Sequence, residues 1–145
     1  IGVVGEDRAP GSRRWWVTQL FARPVRMIDA AVEADRLLEA INAARGKVGL
    51  PSLIVDASLS EVADMSAEQA SSGAIEGVSQ GALNEAKRRG LVRGRLRAWV
   101  ATTPEIDRLQ LPQLLGEPAV RRIGIGVAQQ DGGNGTIGVI LLASN

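Results

Sequence analysis

Three stretches of the chain show the spacing of apolar residues that is typical of amphipathic helices. The first follows Asp29, a good N-cap residue, and we expect Gly46 to end it. The second follows Asp56, and Gly73 comes after its last apolar position. A third, shorter helix is predicted over about residues 81–89, with Gly90 behind it. The apolar stripes are Ala34, Leu37, Leu38, Ile41 and Ala44 in the first helix, and Leu59, Val62, Ala63, Ala67 and Ala70 in the second.

Other apolar residues follow the two-residue period of β-strands. Residues 91–101 place apolar side chains on one face and arginines with Trp99 on the other, which predicts a half-buried strand with a basic outer face. Residues 122–128 alternate in the same way. Residues 136–143 are almost wholly apolar, which predicts a central strand that is covered on both faces. Thr103 followed by Pro104 predicts the start of a further helix.

The first 28 residues differ from the rest of the chain. Residues 1–4 and 14–22 are strand-like, and residues 7–12, with Pro10 and Gly11, have the composition of a turn. We favour an edge hairpin that covers one side of the core. The alternatives are the tail of an upstream domain and a binding strand that carries Trp15 and Trp16.

The order of these elements predicts an α+β fold. With the strands gathered into one sheet and helices on its faces, we expect an α-β-α sandwich around a central, mostly antiparallel sheet, plus an N-terminal β-hairpin-like extension. Residues 1–28 form the extension or upstream tail, and residues 29–145 form the domain. The chain begins with Ile1 and not Met, so we expect a fragment or a processed product of a longer protein.

Histidine and cysteine are both absent from the 145 residues, and this excludes most metal and nucleophilic chemistry. Disulfides, thiolate zinc sites, an imidazole base and a serine–histidine triad are all ruled out. Proton transfer is left to carboxylates or to the lysines, Lys47 and Lys87, and any metal would need oxygen ligands. We assign no catalytic residue, no cofactor and no metal, and we lean towards a protein that is not an enzyme.

The formal net charge is +1, which gives no general attraction to nucleic acids or acidic membranes. No apolar run reaches the length of a transmembrane segment. One local cluster is strongly basic and suggests a patch for an anionic partner, although a solvated helix end followed by an edge strand explains it more simply. Its members are Lys87, Arg88, Arg89, Arg93, Arg95 and Arg97.

Carboxylates recur at helical spacing on the first two predicted helices. Glu61, Asp64 and Glu68 follow one face of the second helix, opposite its apolar stripe. Asp35 and Glu39 are similarly placed on the first helix. Such residues can serve in acid–base catalysis or as oxygen ligands for a metal. Because they face away from the apolar stripes, we expect solvated helix faces instead.

A long pattern across the first two helices resembles the opening of the SCP-like domain of the CAP superfamily. That superfamily comprises cysteine-rich secretory proteins, antigen 5 and pathogenesis-related proteins. The matching positions are Leu38, Asn42, Arg45, Gly49, Leu50, Pro51, Leu53, Asp56, Leu59, Ala63 and Ala67. Residues 123–128 resemble the closing strand motif of the same domain. We expect structural roles here: Asn42 and Arg45 bind turn carbonyls, Gly49 shapes the loop, and Gly124 and Gly126 allow a close approach.

The resemblance also implies a cavity that this chain has lost. Members with an intact cavity carry two histidines and two glutamates that can hold a divalent metal. Carried over position by position, Gly77 and Val120 replace the histidines and Ala98 replaces one glutamate. Glu76 is the nearest carboxylate to the first of these positions. The chain is therefore predicted to have a degenerate cavity without metal.

These observations favour a non-catalytic, secreted or envelope-associated SCP-like domain that binds a protein, glycan or lipid partner. The location outside the cell follows from the resemblance alone, and the lack of disulfides together with the arginine bias suggests a bacterial source. The alternatives are a hydrolase-like enzyme that uses Glu76 in a remodelled groove, and a structural segment of a larger protein. Nucleic acid is not an expected partner, and the pattern does not predict an oligomeric state.

Overall fold

A computed structural model describes residues 2–9, 12–18, 27–72, 75–91, 94–111, 113–130 and 137–144 of the chain. Side chains are described between residues 27 and 130, apart from the gaps in that range and Leu114. The helices are α1 (Ala30–Lys47), α2 (Ala57–Ser71) and α3 (Val78–Arg88). The strands are β1 (Gly2–Ala9), β2 (Ser12–Thr18), β3 (Ile54–Val55), β4 (Leu96–Thr103), β5 (Arg122–Gln129) and β6 (Ile137–Ser144). The predicted α+β class is confirmed.

The main sheet has the strand order β3-β5-β6-β4. β3 pairs in parallel with the start of β5, and only Ile54 and Val55 take part, opposite Arg122 and Ile123. β5 and β4 each pair antiparallel with β6 along its full length. The rest of β5 therefore has no neighbouring strand, within the described part of the chain, on the side of β3.

α2 lies directly on β5, backbone against backbone. A Cβ atom on Gly124 would lie 2.3 Å from the carbonyl carbon of Leu59, and one on Gly126 would lie 2.2 Å from that of Ala63. No side chain larger than a hydrogen atom fits between the helix and the strand at these two positions. The predicted stripe of α2 is fully buried in this contact, together with Ser66.

The apolar residues form two clusters on opposite faces of β5. Ile123, Ile125 and Val127 alternate with the glycines and pack with Leu37 and Ile41 of α1. The other cluster contains the buried residues of α2 and α3, against which Leu96, Ala98 and Val100 of β4 pack. Because side chains alternate across a strand, β5 can serve one helix on each face.

Aspartate side chains cap the N-termini of α1 and α2. The Asp29 carboxylate accepts hydrogen bonds from Ala31 N and Val32 N, and the Asp56 carboxylate accepts them from Ser58 N and Leu59 N. Both predicted N-caps are confirmed.

The predicted end of α1 at Gly46 is wrong by one residue. The helix runs on to Lys47, and Gly49 adopts the left-handed conformation with φ +76°. Leu50 N then donates to Arg45 O and Gly49 N donates to Gly46 O. This is a Schellman motif, which needs its glycine just beyond the last helical turn. Ala44, predicted to be part of the apolar stripe, is exposed.

Three further elements differ from their predictions. α3 begins at Val78, three residues earlier than expected. Gly77, in the left-handed conformation (φ +81°), immediately precedes it. β4 covers residues 96–103 and not 91–101, and Trp99 packs against the α1 cluster instead of standing on a solvated basic face. Thr103 and Pro104 lead only into a 3₁₀ turn, Ile106–Arg108, which ends at Leu109. Gly73, the predicted end of α2, lies outside the described residues.

β1 and β2 pair with each other antiparallel, in a two-stranded sheet that is separate from the main one. β1 extends through Asp7, which the sequence pattern placed in the turn. The turn residues Pro10 and Gly11, the end of the second predicted strand and the predicted turn at residues 131–135 lie outside the described residues.

We predict that Gly124→Ala and Gly126→Ala each lower the free energy of unfolding by about 2 kcal/mol or more, because the added methyl group must push α2 away from β5. Urea denaturation measures this. The matched control is Gly81→Ala in α3, where nothing lies within 4 Å of the position that the added methyl group would occupy. That change should raise stability by about 0.5–1 kcal/mol, since alanine favours a helix. Wild-type stability of Gly124→Ala would contradict the close contact.

Candidate functional site

The positions predicted to form a degenerate cavity lie in different places. Glu76 and Gly77 are exposed just before α3. Ala98 is half-buried and packs against the α2–α3 cluster, whereas Val120 is buried in the α1 cluster on the other side of β5. In this chain, then, two of these positions belong to separate apolar clusters and the other two are solvated. None of the four lines the cleft described below.

Asn42 and Arg45 hold the chain segments around the end of α1. Asn42 Oδ1 accepts a hydrogen bond of 2.8 Å from Leu53 N. Arg45 is 2% exposed and donates from Nε to Pro51 O at 2.8 Å and from Nη2 to Val120 O at 3.2 Å. Its Nη1 donates to the carbonyls of Leu115 and Glu117. A buried guanidinium is thus satisfied by backbone carbonyls alone, which is a structural role.

The basic cluster is largely neutralised by its neighbours. Arg88 donates two hydrogen bonds to the Glu85 carboxylate, the shorter at 2.7 Å, and Arg89 donates one from Nε, also at 2.7 Å. These two guanidinium groups lower the pKa of Glu85 to about 2. Arg89 also pairs with Glu61 at 3.2 Å.

Beyond α3, the cluster becomes discontinuous. Arg97 pairs with Glu117. Lys87 and Arg95 are exposed, and Arg93 lies outside the described residues. The described part of the cluster is therefore a set of ion pairs and separate cations. Its net positive charge, and so its attraction for an anionic partner, is much smaller than that of the six cations counted from the sequence.

A cleft of about 440 Å³ opens between α1 and α2 at the free side of β5, and we call it the α1–α2 cleft. Val55, at the end of β3, closes it at one end. Ile125 and Val127 form its base along β5. The α1 wall is built of small and apolar side chains with one carboxylate: Ala30, Ala31, Ala34, Leu38 and Asp35. The α2 wall is polar and consists of Ser60, Asp64 and Glu68.

The cleft is acidic, since three carboxylates and no lysine or arginine line it. Partial burial and, to a lesser degree, the nearby Glu68 raise the pKa of Asp64. The described residues contain no group of three or more His, Cys, Asp or Glu side chains that could hold a metal ion. The carboxylates therefore share a cleft without forming a chelating cluster.

These carboxylates were expected to lie on solvated helix faces. All three are indeed exposed, but the structure brings Asp35 together with Asp64 and Glu68 around one cleft. The regular spacing of carboxylates along each helix is visible in the sequence, and it is part of the evidence for this arrangement. The sequence carried no signal for the pairing of the two helices, which depends on where α1 and α2 lie relative to β5.

No protein-family model and no curated protein matches the sequence significantly. The structure is similar to a cysteine-rich secretory protein from Staphylococcus aureus, with a TM-score of 0.52 and 17% identity. That similarity covers 84% of this chain and 41% of the staphylococcal chain. An outer surface protein from Borrelia burgdorferi is similar with a TM-score of 0.50 and 17% identity, over 81% of this chain and 96% of that one.

At 17% identity, these similarities show the fold alone. The resemblance to cysteine-rich secretory proteins is confirmed at that level, in a chain without any cysteine. The chain spans less than half the length of the staphylococcal protein. In the part of the chain that the structure describes, no helix is both long enough and apolar enough to cross a membrane.

We predict that Asp64→Asn stabilises the protein at neutral pH. The raised pKa means that the folded state binds the Asp64 proton more tightly than the unfolded state does. The stabilisation from this proton is complete below the ordinary pKa of aspartate and is lost as pH rises through the raised value. The gain in urea midpoint should therefore fade as pH falls towards 3. Glu39→Gln, at an exposed position of α1 outside the cleft, is the control; an equal, pH-independent gain in both variants would refute the assignment.

Proposed function

We propose that this chain is a non-catalytic CAP-like domain that acts in the bacterial envelope or outside the cell as a binding and interaction module. The observation that carries the proposal is a CAP-like fold in a chain without histidine. The proposal includes the finer description of the fold as an α-β-α sandwich with a central, mostly antiparallel sheet and an N-terminal hairpin-like extension. The helices on both faces of β5 support this description.

The positions that correspond to the metal-binding residues of the family support a role without metal. Gly77 offers no side chain, and Ala98 and Val120 offer only apolar ones. The latter two contribute to the packing of the domain instead of facing each other across a cavity. Loss of buried polar groups removes a desolvation cost of about 1–3 kcal/mol for each unpaired group, so the apolar replacements favour the folded state.

The alternative of a hydrolase that uses Glu76 lacks the geometry it needs. A carboxyl group acquires acid–base function through burial or a close charged neighbour. Glu76 is exposed and lies outside the α1–α2 cleft. No observation favours this candidate over an interaction module.

We predict that millimolar zinc or magnesium leaves the melting temperature unchanged, and that a chelator has no effect either. A ligand stabilises a protein only by binding the folded state better than the unfolded one, and this chain has no imidazole or thiolate to do so. Differential scanning calorimetry of the purified chain measures the shift. A saturable rise of several degrees with zinc would overturn the proposal of a metal-free domain.

The proposed location is tested in the native host. Antibodies against this chain should detect the full-length protein in the culture medium or the envelope fraction, because the similar structures are a secretory and an outer surface protein. A cytosolic marker enzyme serves as the control for lysis. A full-length protein that fractionates with that marker would contradict the proposed location.

A further inference from the structure

Because β3 is short, most of β5 has no paired strand on the side of β3 within the described part of the chain. β3 covers only Arg122 and Ile123 of the eight residues of β5. The α1–α2 cleft begins where β3 ends, at Val55, and continues along Ile125 and Val127. Because α1 and α2 pack on opposite faces of β5, the cleft between them lies in the plane of the sheet. It is the position that the next residues of an edge strand would occupy.

The backbone of β5 directs hydrogen-bonding groups into this space. The carbonyls of Arg121 and Ile123 point to the β3 side, where they accept bonds of 2.9 Å from Ile54 N and Asp56 N. Backbone groups alternate in direction along a strand, so those of Ile125 and Val127 point to the same side. Among the described residues, no partner for them on that side is found. An extended chain in the cleft would supply donors and acceptors for these backbone groups.

The negative charge of the α1–α2 cleft determines which kind of peptide segment would bind in it. Asp35, Asp64 and Glu68 give the cleft three carboxylates without a compensating cation in its walls. A second copy of this protein, pairing edge to edge, would bring three more carboxylates into the same space, which is unfavourable. A strand with basic side chains on one face would meet Asp64 and Glu68 on the α2 wall. Its other face would meet the small apolar residues of the α1 wall, Ala30 and Ala34 among them.

We propose that the α1–α2 cleft binds an extended segment of a partner protein in which basic and apolar residues alternate, and that this segment pairs with β5 as an added strand. The inference rests on the proposed function of an interaction module and names its partner class. In such β-augmentation the backbone hydrogen bonds provide affinity, and alternate side chains provide specificity. The segment requires about six residues, because β3 pairs with only two of the eight residues of β5 and a paired strand advances in step with its neighbour.

The probe is the blocked peptide acetyl-Val-Lys-Val-Lys-Val-Lys-amide, titrated into the full chain by calorimetry and by ¹⁵N NMR. We expect saturable binding with shifts of the amide resonances of Ile125 and Val127 and at least tenfold slower hydrogen exchange there. Two further versions carry N-methyl groups either on the Val residues or on the Lys residues. Because backbone N–H groups alternate in direction along a strand, one version loses the donors that face β5 and the other keeps them. One of the two should therefore bind at least tenfold more weakly than the unmodified peptide. The peptide with Glu in place of Lys should not bind.

Variants then test the walls of the cleft. Asp64→Asn combined with Glu68→Gln should weaken binding at least tenfold. The matched control, Glu39→Gln combined with Asp107→Asn, removes the same charge at exposed positions outside the cleft and should leave binding within twofold. Circular dichroism and melting temperature check that each variant is folded.

Several outcomes would overturn the inference. Acetyl-lysine-amide binding as tightly as the hexapeptide would indicate a site for small cations, and unweakened binding of both N-methylated peptides would exclude strand pairing. Absence of binding by the Val-Lys hexapeptide to the unmodified chain also overturns it. These failures leave the proposed function standing as long as zinc does not shift the melting temperature, whereas a saturable zinc shift refutes the proposed function whatever the peptide does.

Discussion

The contact between the backbone of α2 and the glycines of β5 sets the arrangement of the whole domain. With only hydrogen atoms at Gly124 and Gly126, the helix lies against the strand at a distance that any side chain would forbid. The small residues of α2, Ala63 and Ala67, extend this close packing. The large apolar side chains of β5, Ile123, Ile125 and Val127, are therefore on the other face, where α1 packs. Both helical layers are thus positioned by one strand.

The polar side chains of Asp56 and Arg45 connect this layered core to the irregular segments. Asp56 caps α2 with one carboxylate oxygen and accepts a 2.7 Å bond from Arg122 with the other, so the start of the helix and the start of β5 are joined. Arg45 does the same for the far end of α1, where it gathers carbonyls from the loop after the helix and from the segment before β5. A guanidinium has five donors in a rigid plane, which suits several carbonyls that belong to no regular element.

The cleft that we propose as a binding site lies where this packing stops. β3 is too short to cover β5, and its residues are substantially exposed, Ile54 at 67%. The acidic α1–α2 cleft lies along the part of β5 that continues beyond β3. The four positions assigned from the sequence to a degenerate cavity, Glu76, Gly77, Ala98 and Val120, are used for packing or are exposed to solvent. The three carboxylates Asp35, Asp64 and Glu68 lie around the α1–α2 cleft, where the sheet edge meets the two helices.

Local patterns were enough to predict the helices with their N-caps at Asp29 and Asp56, the alternation of β5, the need for glycine at 124 and 126, and the exclusion of imidazole and thiolate chemistry. These properties are set by side-chain periodicity, capping and the residue types present. The folded chain was needed to show that Ala98 and Val120 lie in separate clusters and that Trp99 turns inward. It was also needed to show that Arg88 and Arg89 pair with carboxylates, and that Asp35 meets Asp64 and Glu68 across a cleft. Apart from the pairs with Glu85, each of these depends on contacts between residues far apart in the chain. Such contacts follow from the way the helices and strands pack together, which no local pattern records.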